Sequence, residues 1–342
     1  MKAYRVIAIV LITFMVGLIP NNVAVAKENV AFQSALESFF ANAVLDDDVY
    51  QLSSFNEFEL SYPIPCYSNM GNDVYAKAQC TCYAVIAEGV VQGVLCVQRN
   101  SETGYAFSYE EGIAKEMETS KDKVAILFDK GSRFLLRDHS DDVNCVAFQY
   151  ICDFADAHAV SKRLHITKNV SPESVLTTPN AYSLNVPAKK QYDDTSCWAA
   201  GCASVLQYIK QSAYTCYGVM VSSGLYNGAT MGQVRTVLQS YGVTPSTIGA
   251  GNQLTTSVRF DKICAGKPFL TGYTGTHVNT GATFDHMFTV RGYSSSSSSL
   301  YLKIIDPKMG GYVSVSVTSA TRLKFTYNNY NWALGAWIYV GS

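Results

Sequence analysis

The chain has 342 residues, with 26 Lys and Arg against 27 Asp and Glu, so its formal net charge at pH 7 is only −1. This length suggests two domains. The near-neutral total hides two opposite halves: residues 27–180 hold 12 basic and 22 acidic side chains, whereas residues 181–342 hold 12 basic and 5 acidic ones. The positive charge of the second half forms no stripe or motif, which argues against a nucleic-acid-binding protein. An acidic front part would be attracted to a basic rear part, or the difference reflects the composition of two independent modules.

The N-terminal segment has the layout of a secretory signal peptide. Lys2 and Arg5 precede an apolar run, and residues 24–26 (Ala-Val-Ala) offer a small-residue cleavage site. The apolar run is short for a bilayer-spanning helix. We therefore expect residues 1–26 to be removed and the mature chain to be secreted into the extracellular space. The alternative is an uncleaved N-terminal anchor.

Residues 27–166 are predicted to form a small α+β domain. Residues 31–44 have the apolar spacing of a helix, and residues 77–98 contain two strand-like runs joined by a turn. Residues 108–111 (Ser-Tyr-Glu-Glu) have the form of a capping box, which predicts a second helix. Two apolar runs on either side of residues 129–132 predict a second hairpin. This order of elements predicts a small sheet with helices packed on it.

Residues 167–185 have no regular apolar spacing and are rich in Ser, Thr, Pro and Asn. Such a composition is typical of a linker, and an exposed linker is where proteolytic cleavage would separate two domains. We therefore expect the rear domain to span residues 186–342.

Cys197 lies where a polar loop turns into an apolar helix. Thr195 or Ser196 can cap that helix, and the apolar residues that follow form one stripe. The partial positive charge at a helix N-terminus lowers the pKa of a thiol and favours its reactive thiolate form. On this segment alone, Cys197 is either a nucleophile or a small buried hydrophobic residue.

The pattern changes from helices to strands along the rear domain. Residues 231–240 and 257–265 are predicted to be helices, each followed by a glycine that can end it. From Lys267 onward, five runs have the alternation or β-branched content of strands. This order predicts a helical subdomain followed by an antiparallel β subdomain, with the site between them.

His286 and Asp306 lie on two alternating runs separated by a serine tract, a pattern typical of a β-hairpin. If residue 290 pairs with residue 302, then residue 286 pairs with residue 306. We therefore expect His286 and Asp306 to be cross-strand neighbours. A carboxylate in this position would hold the imidazole in one tautomer and stabilise its charged form, as the third member of a catalytic triad does.

No motif in the sequence indicates a cofactor or a metal ion. The chain has no dinucleotide-binding, phosphate-binding or zinc-peptidase motif. Cys80 and Cys82 lack the two intervening residues of zinc and redox motifs, and strand alternation simply places them on one face. His277 has no alternating strand of its own, so we expect it at the surface or in a substrate cleft.

Ten cysteines in an exported chain make disulfides plausible. If Cys197 remains a free thiol, at most one bridge can form among the other rear cysteines. We expect Cys202 to be a buried thiol and Cys216 to pair with Cys264. The six front cysteines could pair among themselves, with a connectivity that the sequence does not determine; they are Cys66, Cys80, Cys82, Cys96, Cys145 and Cys152.

The rear half resembles the papain-like cysteine peptidases, in particular the compact bacterial groups related to staphopain, the AvrRpt2-type effectors and the C39-like leader peptidases. Gln191 precedes Cys197 by six positions, and Cys197 is followed by Trp-Ala. Residues 285–286 are an Asp-His pair, residues 266–268 read Gly-Lys-Pro, and residues 306–307 read Asp-Pro. The resemblance covers about residues 183–342 and leaves the front part unmatched.

This resemblance implies a papain-like catalytic domain, an α+β fold with a nucleophile helix in a helical subdomain and an antiparallel β subdomain, preceded by a small α+β prodomain. It also implies a role for each matching residue. Cys197 would attack the scissile carbonyl, and His286 would protonate the leaving amine. Asp306 would orient His286, as in the AvrRpt2-type and C39-like groups, where papain has an asparagine. The side-chain amide of Gln191 would donate to the oxyanion.

The function implied is a secreted cysteine endopeptidase made as a zymogen, with polypeptide substrates and no cofactor. Its own acidic prodomain would act as an intramolecular inhibitor. One alternative is a cysteine peptidase or amidase dedicated to a leader peptide or a cell-wall peptide. Another is a host-binding module without turnover on a peptidase-like fold. Neither nucleic acid nor stable membrane insertion is expected.

Overall fold

The computed structural model describes residues 181–341 except 297 and 298, together with strands at 152–153 and 162–164 and most of residues 32–137. The predicted signal peptide and residues 165–180, which hold most of the predicted linker, lie outside the described residues. Inside the range 32–137, the structure leaves out residues 33, 45, 46, 48, 51, 53–57, 62, 72, 73, 101–103 and 119–122. Within the described part of the chain, no helix is both long and apolar enough to cross a bilayer.

The front part of the chain consists mainly of strands. It begins with a helical segment over residues 34–39 that continues as a π-helical turn, Phe40–Val44. The elements that follow are β1 (Phe58–Leu60), β2 (Cys66–Asn69), β3 (Tyr75–Lys77), β4 (Cys80–Ala87), β5 (Val90–Asn100), β6 (Gly104–Glu110), α1 (Ala114–Glu118), β7 (Lys123–Asp129), β8 (Ser132–Arg137), β9 (Cys152–Asp153) and β10 (Lys162–Leu164).

The rear part begins with a short strand and helices and ends in long strands. Its elements are β11 (Ala181–Ser183), α2 (Cys197–Lys210), α3 (Cys216–Ser223), α4 (Met231–Ser240), β12 (Thr244–Pro245), β13 (Gly249–Ala250), a 3-10 turn (Gly251–Gln253), α5 (Thr256–Cys264), β14 (Phe269–His277), β15 (Thr283–Ser295), β16 (Leu300–Asp306), β17 (Gly311–Ser319), a second 3-10 turn (Thr321–Leu323), β18 (Lys324–Tyr327) and β19 (Tyr330–Gly341).

Six of these strands form a closed antiparallel barrel. Each of β14 to β19 pairs with the next strand in the chain, and β19 pairs back with β14. Closure satisfies the backbone groups that an open sheet would leave unpaired at its edges. Large apolar side chains that alternate along these strands fill the core, among them Phe288, Ile304, Val313, Trp332 and Leu334.

The helices α2 to α4 lie against the barrel. Trp198 and other apolar residues of α2 share one cluster of buried side chains with Leu270 of β14, Met287 of β15 and Ile338 of β19. The helix approaches the barrel closely at Gly201, where an added Cβ would lie 3.0 Å from the side chain of Leu270. The N-terminus of α2 is therefore held beside β15.

The prediction of a papain-like fold, with a separate helical subdomain and β subdomain, is wrong. The chain is mostly β, with 44% strand and 26% helix, and its rear part is built on a closed barrel. The helices pack on one another and on the outside of the barrel, in a buried cluster that also includes Leu270, Met287, Ile338 and Val340 of the barrel strands. The sequence also gave no sign of β18, which closes the barrel but has only four residues, too few for an alternating pattern.

The front part continues the sheet of the barrel. The ladder between β6 and β17 joins β4, β5 and β6 to the barrel strands. A second sheet contains β3, β2, β7 and β8 in that order. The predicted capping box at residues 108–111 is wrong: Ser108 to Glu110 belong to β6, and α1 begins only at Ala114. Pairing with β5 and β17 on both sides overrides the local helix signal.

Buried charges connect the front part to the barrel. The carboxylate of Asp47 accepts a hydrogen bond from Arg291 of β15 and lies 3.8 Å from Nζ of Lys303 on β16. All three side chains are almost completely buried. Because an unpaired buried cation is costly, the barrel depends on a carboxylate supplied by the front part of the chain.

Replacing Asp47 with alanine is expected to lower the free energy of unfolding by about 3 to 5 kcal/mol, because two buried cations lose their carboxylate. The measurement is urea unfolding of full-length protein. Asp261→Ala removes an exposed carboxylate of α5 and should change stability by about 0.5 kcal/mol or less. Equal effects of the two variants would contradict the assigned role of Asp47.

Candidate active site

Cys197 is the first residue of α2, and the loop before it is tightly hydrogen-bonded. The hydroxyl of Ser196 accepts hydrogen bonds from the backbone N–H groups of Tyr192 and Asp193, both at 2.9 Å. Ser196 occupies the N-cap position, as predicted, but its side chain makes no capping bond to the helix. The N–H of Gln191 donates to the carbonyl of Pro307 at 2.8 Å, so the loop is fixed to the end of β16.

His286 and Asp306 meet inside the barrel wall. Nε2 of His286 lies 2.9 Å from Oδ1 of Asp306, and both side chains are buried. The predicted register was shifted: Val290 pairs with Ile304, not with residue 302, and the ladder is irregular between residues 290 and 292. Extended along the strands, this register places Asp306 level with residue 288. The two residues are therefore diagonal neighbours, a spacing that long and aromatic side chains can bridge.

Aromatic rings fix the plane of the His286 imidazole. Phe284 stacks on it with ring centroids 5.7 Å apart, and Phe288 meets it edge to face at 4.7 Å. The indole of Trp332 lies 5.9 Å away. These rings leave the imidazole little freedom to rotate. Trp332 has no sequence signal of a site residue, because its segment shows only the pattern of a strand.

The imidazole of His286 has a pKa above that of an ordinary histidine, although it is buried. Burial alone would lower its pKa, but the hydrogen bond and charge of Asp306, together with the contact with Cys197, raise the pKa of His286 to about 9. Nε2 is committed to Asp306, and Nδ1 is buried without a hydrogen bond of regular geometry among the described residues. Nδ1 is therefore the nitrogen available to the thiol.

The contact between Cys197 and His286 raises the pKa of the imidazole and lowers the pKa of the thiol. Burial alone would raise the pKa of Cys197. The contact with His286 and the charge of its imidazolium outweigh burial, and the N–H groups of Met287 and Trp198 contribute, so the pKa of the thiol is below its ordinary value. At neutral pH these two shifts favour a thiolate–imidazolium pair, which is the reactive form of a cysteine nucleophile.

Gln191, the predicted oxyanion donor, belongs to the same loop as the nucleophile. Its side-chain Nε2 donates a hydrogen bond to the carbonyl of Asp193 at 2.7 Å. A side-chain amide nitrogen carries two hydrogens, so this bond orients the group and leaves a second N–H for a substrate. The nucleophile loop also includes Asp194, whose exposed carboxylate binds Lys308 at 3.1 Å. Asp193 is exposed, like Asp194, as predicted.

Other predictions for the rear part were only partly right. Cys202 is a buried free thiol, as predicted. The predicted bridge between Cys216 and Cys264 is wrong, because both are free thiols; Sγ of Cys264 contacts the hydroxyl of Tyr293 at 3.3 Å instead. His277 is not a surface or cleft residue either. It is buried and lies 2.7 Å from the hydroxyl of Ser68 in the front part.

An open cleft of about 640 Å³ lies beside the strand that carries His286. It is lined by residues 224–230, Gln233 and Asp285. The hydroxyl of Thr195 donates to the carbonyl of Tyr226 at 3.1 Å, which fixes the cleft loop to the nucleophile loop. The cleft therefore lies next to the loop that precedes Cys197 and next to Asp285, the residue before His286.

No protein-family model matches this sequence, and no curated protein sequence is significantly similar to it. The chemistry of the site must therefore be judged from its own geometry. That geometry brings together a thiol with a lowered pKa, an imidazole with a raised pKa and a buried carboxylate. Nucleophile, base and orienting group are the components of a covalent hydrolytic mechanism.

Asp306→Asn should slow the alkylation of Cys197 by iodoacetamide at least about tenfold just below neutral pH. Without the carboxylate, the pKa of His286 falls from about 9, the imidazolium is lost at lower pH, and the pKa of the thiol rises. Raising the pH should therefore restore part of the rate. Asp261→Asn serves as the control, and mass spectrometry of the labelled peptide gives the rate. An unchanged rate in Asp306→Asn would show that Asp306 does not support the ion pair.

Proposed function

We propose that this protein is a cysteine peptidase that hydrolyses peptide bonds through a thioacyl-enzyme. The observation that supports this most directly is the contact between Cys197 and His286, with His286 hydrogen-bonded to Asp306. A buried cysteine with only a structural role does not require a neighbouring imidazole whose pKa is raised. A nucleophile does, because only its thiolate attacks a carbonyl.

In this mechanism the thiolate of Cys197 attacks the scissile carbonyl carbon and forms a tetrahedral intermediate. The backbone N–H of Cys197 and the side-chain amide of Gln191 donate to the developing oxyanion, and each such donor is typically worth about 3 kcal/mol. The imidazolium of His286 gives its proton to the leaving amine, which departs as the thioester forms. His286 then takes a proton from water, whose oxygen attacks the thioester and releases the acid and the thiolate.

We also propose that the front part is an inhibitory prosegment of a secreted zymogen. The N-terminal signal-peptide layout supports secretion, and the charges of the two halves are complementary. The front part also reaches the strand that carries the catalytic histidine: Gly131, in the turn between β7 and β8, lies beside Phe284, and its carbonyl accepts a hydrogen bond from Asn328 at 2.8 Å. Removing this turn would free one side of the histidine strand.

Full-length wild-type protein, incubated under reducing conditions, is expected to be cleaved within about residues 167–190, in and beside the predicted linker. Cys197→Ala should stay intact, because it has no nucleophile. Cys264→Ala is the matched control, since it removes a partly exposed free thiol from the same half and should be processed like wild type. Gel electrophoresis and N-terminal sequencing measure the cleavage.

An epoxide probe that labels active thiols distinguishes a dormant zymogen from a protein that has no peptidase activity. If the wild type stays whole, cleavage by an added protease should make Cys197 reactive with the probe, which would assign maturation to another enzyme. If neither the intact nor the cleaved protein reacts, and neither hydrolyses denatured polypeptides, the peptidase proposal is wrong and a binding role is favoured.

Asp285 indicates a preference for basic side chains in the substrate. Among the described residues that line the cleft, Asp285 is the one with a charged side chain, and this side chain is exposed. The hydroxyl of Thr274 donates to its Oδ1 at 2.7 Å, and Oδ2 has no partner among the described residues. A Lys or Arg side chain in the cleft would therefore find an oriented carboxylate next to the catalytic histidine.

Asp285→Ala should reduce the ratio of kcat/KM for Lys or Arg peptides over Leu peptides about tenfold, the effect of one charge-assisted hydrogen bond. The ratio cancels any general effect of the substitution on His286. Asp194→Ala removes an exposed carboxylate that does not line the cleft and should leave the ratio unchanged. Asp285→Lys should favour acidic peptides, and an unaltered profile in this variant would exclude the assignment.

A further inference from the structure

Four cysteines of the front part come together in one apolar site. Cys66 lies on β2, Cys80 and Cys82 on β4, and Cys96 on β5. The sulfur atoms of Cys66, Cys80 and Cys82 all lie within 4.8 Å of one another, and Cys82 is disulfide-bonded to Cys96. Strand alternation predicted a common face only for Cys80 and Cys82. The fold brings Cys66 from β2 and Cys96 from β5 to the same site.

The two remaining thiols of this cluster are positioned for each other. Cys66 and Cys82 are buried within an apolar cluster, and Cys80 packs against it. The hydrogen bond with Cys66, followed by burial, raises the pKa of the Cys80 thiol well above its ordinary value. Buried thiols that are slow to ionise do not make a nucleophile. Their proximity instead suits a covalent bond between them.

We propose that Cys66 and Cys80 form a second disulfide of the folded protein, next to Cys82–Cys96. While the chain folds and the two thiols are still exposed and able to ionise, they would be oxidised by thiol–disulfide exchange with a disulfide-carrying oxidoreductase or a small-molecule disulfide. One new S–S bond forms in the protein, and the disulfide of the oxidant is reduced to two thiols that take up both protons. This step requires an oxidising compartment, in agreement with the signal-peptide layout of the N-terminus.

This bond would have a defined structural effect. Cys66 belongs to the sheet that contains β2, β7 and β8, whereas Cys80 belongs to the sheet that continues into the barrel. The disulfide would therefore join the two sheets covalently. It would also hold the turn between β7 and β8, which contacts Phe284 in the barrel, in its place. The existing Cys82–Cys96 bond links only adjacent strands of one sheet.

The disulfide already present between Cys82 and Cys96 favours a second disulfide over a bound metal ion. A tetrahedral zinc site would need all four thiols reduced, and here Cys82 and Cys96 are already bonded to each other. The three sulfur atoms that the structure brings together include one of that pair. Metal content is therefore an outcome that the test must measure, since it would replace the proposal.

The test uses full-length Cys197→Ala protein exported to an oxidising compartment, so that self-cleavage cannot interfere. Free thiols are blocked with N-ethylmaleimide in mildly acidic denaturant, and disulfide-linked peptides are mapped without reduction. Trypsin cuts at Lys77, between Cys66 and Cys80, so the expected bond leaves the peptide with Cys66 joined to the peptide with Cys80, Cys82 and Cys96.

Single substitutions assign the pairing. In a Cys66→Ala variant, N-ethylmaleimide should label one additional cysteine, Cys80, and in Cys80→Ala it should label Cys66. Cys82→Ala is the matched control, for which the additional label should appear at Cys96. Labelling of Cys82 or Cys96 in the Cys66→Ala variant would mean another connectivity and would overturn the proposed pair.

Two further results would overturn the proposal: Cys66 and Cys80 both fully blocked as free thiols in exported protein, or stoichiometric zinc by elemental analysis with all four cysteines reduced.

Stability provides an independent readout. Replacing both Cys66 and Cys80 by alanine should raise the unfolding equilibrium constant roughly a hundredfold in non-reducing buffer, the effect of opening a loop of about 15 residues. The difference from wild type should shrink in reducing buffer.

Discussion

The site depends on one buried hydrogen bond, donated by Nε2 of His286 to Asp306 across the diagonal of two barrel strands. It fixes which nitrogen faces the thiol and supplies the negative charge that keeps the imidazole protonated. The closed barrel makes this bond possible, because both strands are paired on each side and cannot slide. The helix that carries Cys197 packs on the same strands, so the distance between thiol and imidazole is set by the apolar contacts between α2 and the barrel. The position of the thiol relative to the imidazole therefore follows from the packing of two rigid elements and not from a flexible loop.

The second constraint is the junction between the front part and the barrel. The barrel buries Arg291 and Lys303, and the front part supplies the carboxylate of Asp47 between them. Within the same junction, Glu110 of β6 pairs with Arg133 at 2.9 Å and accepts a hydrogen bond from Tyr327 of the barrel. Buried charges of this kind stabilise little in total but penalise every arrangement that separates them. A front part held in this way docks in one register, and its removal would take the carboxylate of Asp47 away from Arg291 and Lys303.

The sequence predicted local features well and long-range features poorly. The helix at residues 231–240 was predicted with its observed bounds, because its caps and apolar spacing lie within the segment. The start of a helix at Cys197 was predicted from similar local signals. The meeting of His286 with Asp306 was predicted from a hairpin register that the structure shows to be shifted by two residues. The closing strand β18, the bulged register beside Arg291 and the carboxylate of Asp47 could not be predicted, since each is decided by residues more than a hundred positions away or by pairing on both edges. The papain-like fold was wrong for the same reason: short motifs around a nucleophile do not determine how strands close into a barrel.

The ionisation state of Cys197 shows whether the thiol and His286 form a thiolate–imidazolium pair. The ultraviolet absorbance of the thiolate, taken as the difference between full-length wild type and Cys197→Ala, gives its population at each pH. In the wild type we expect a thiolate signal at pH values well below the ordinary thiol pKa of about 8.5, and we expect this signal to be lost at neutral pH in His286→Ala. A signal that appears only at or above that value in the wild type would mean that no thiolate–imidazolium pair exists, and the proposed chemistry would fail with it.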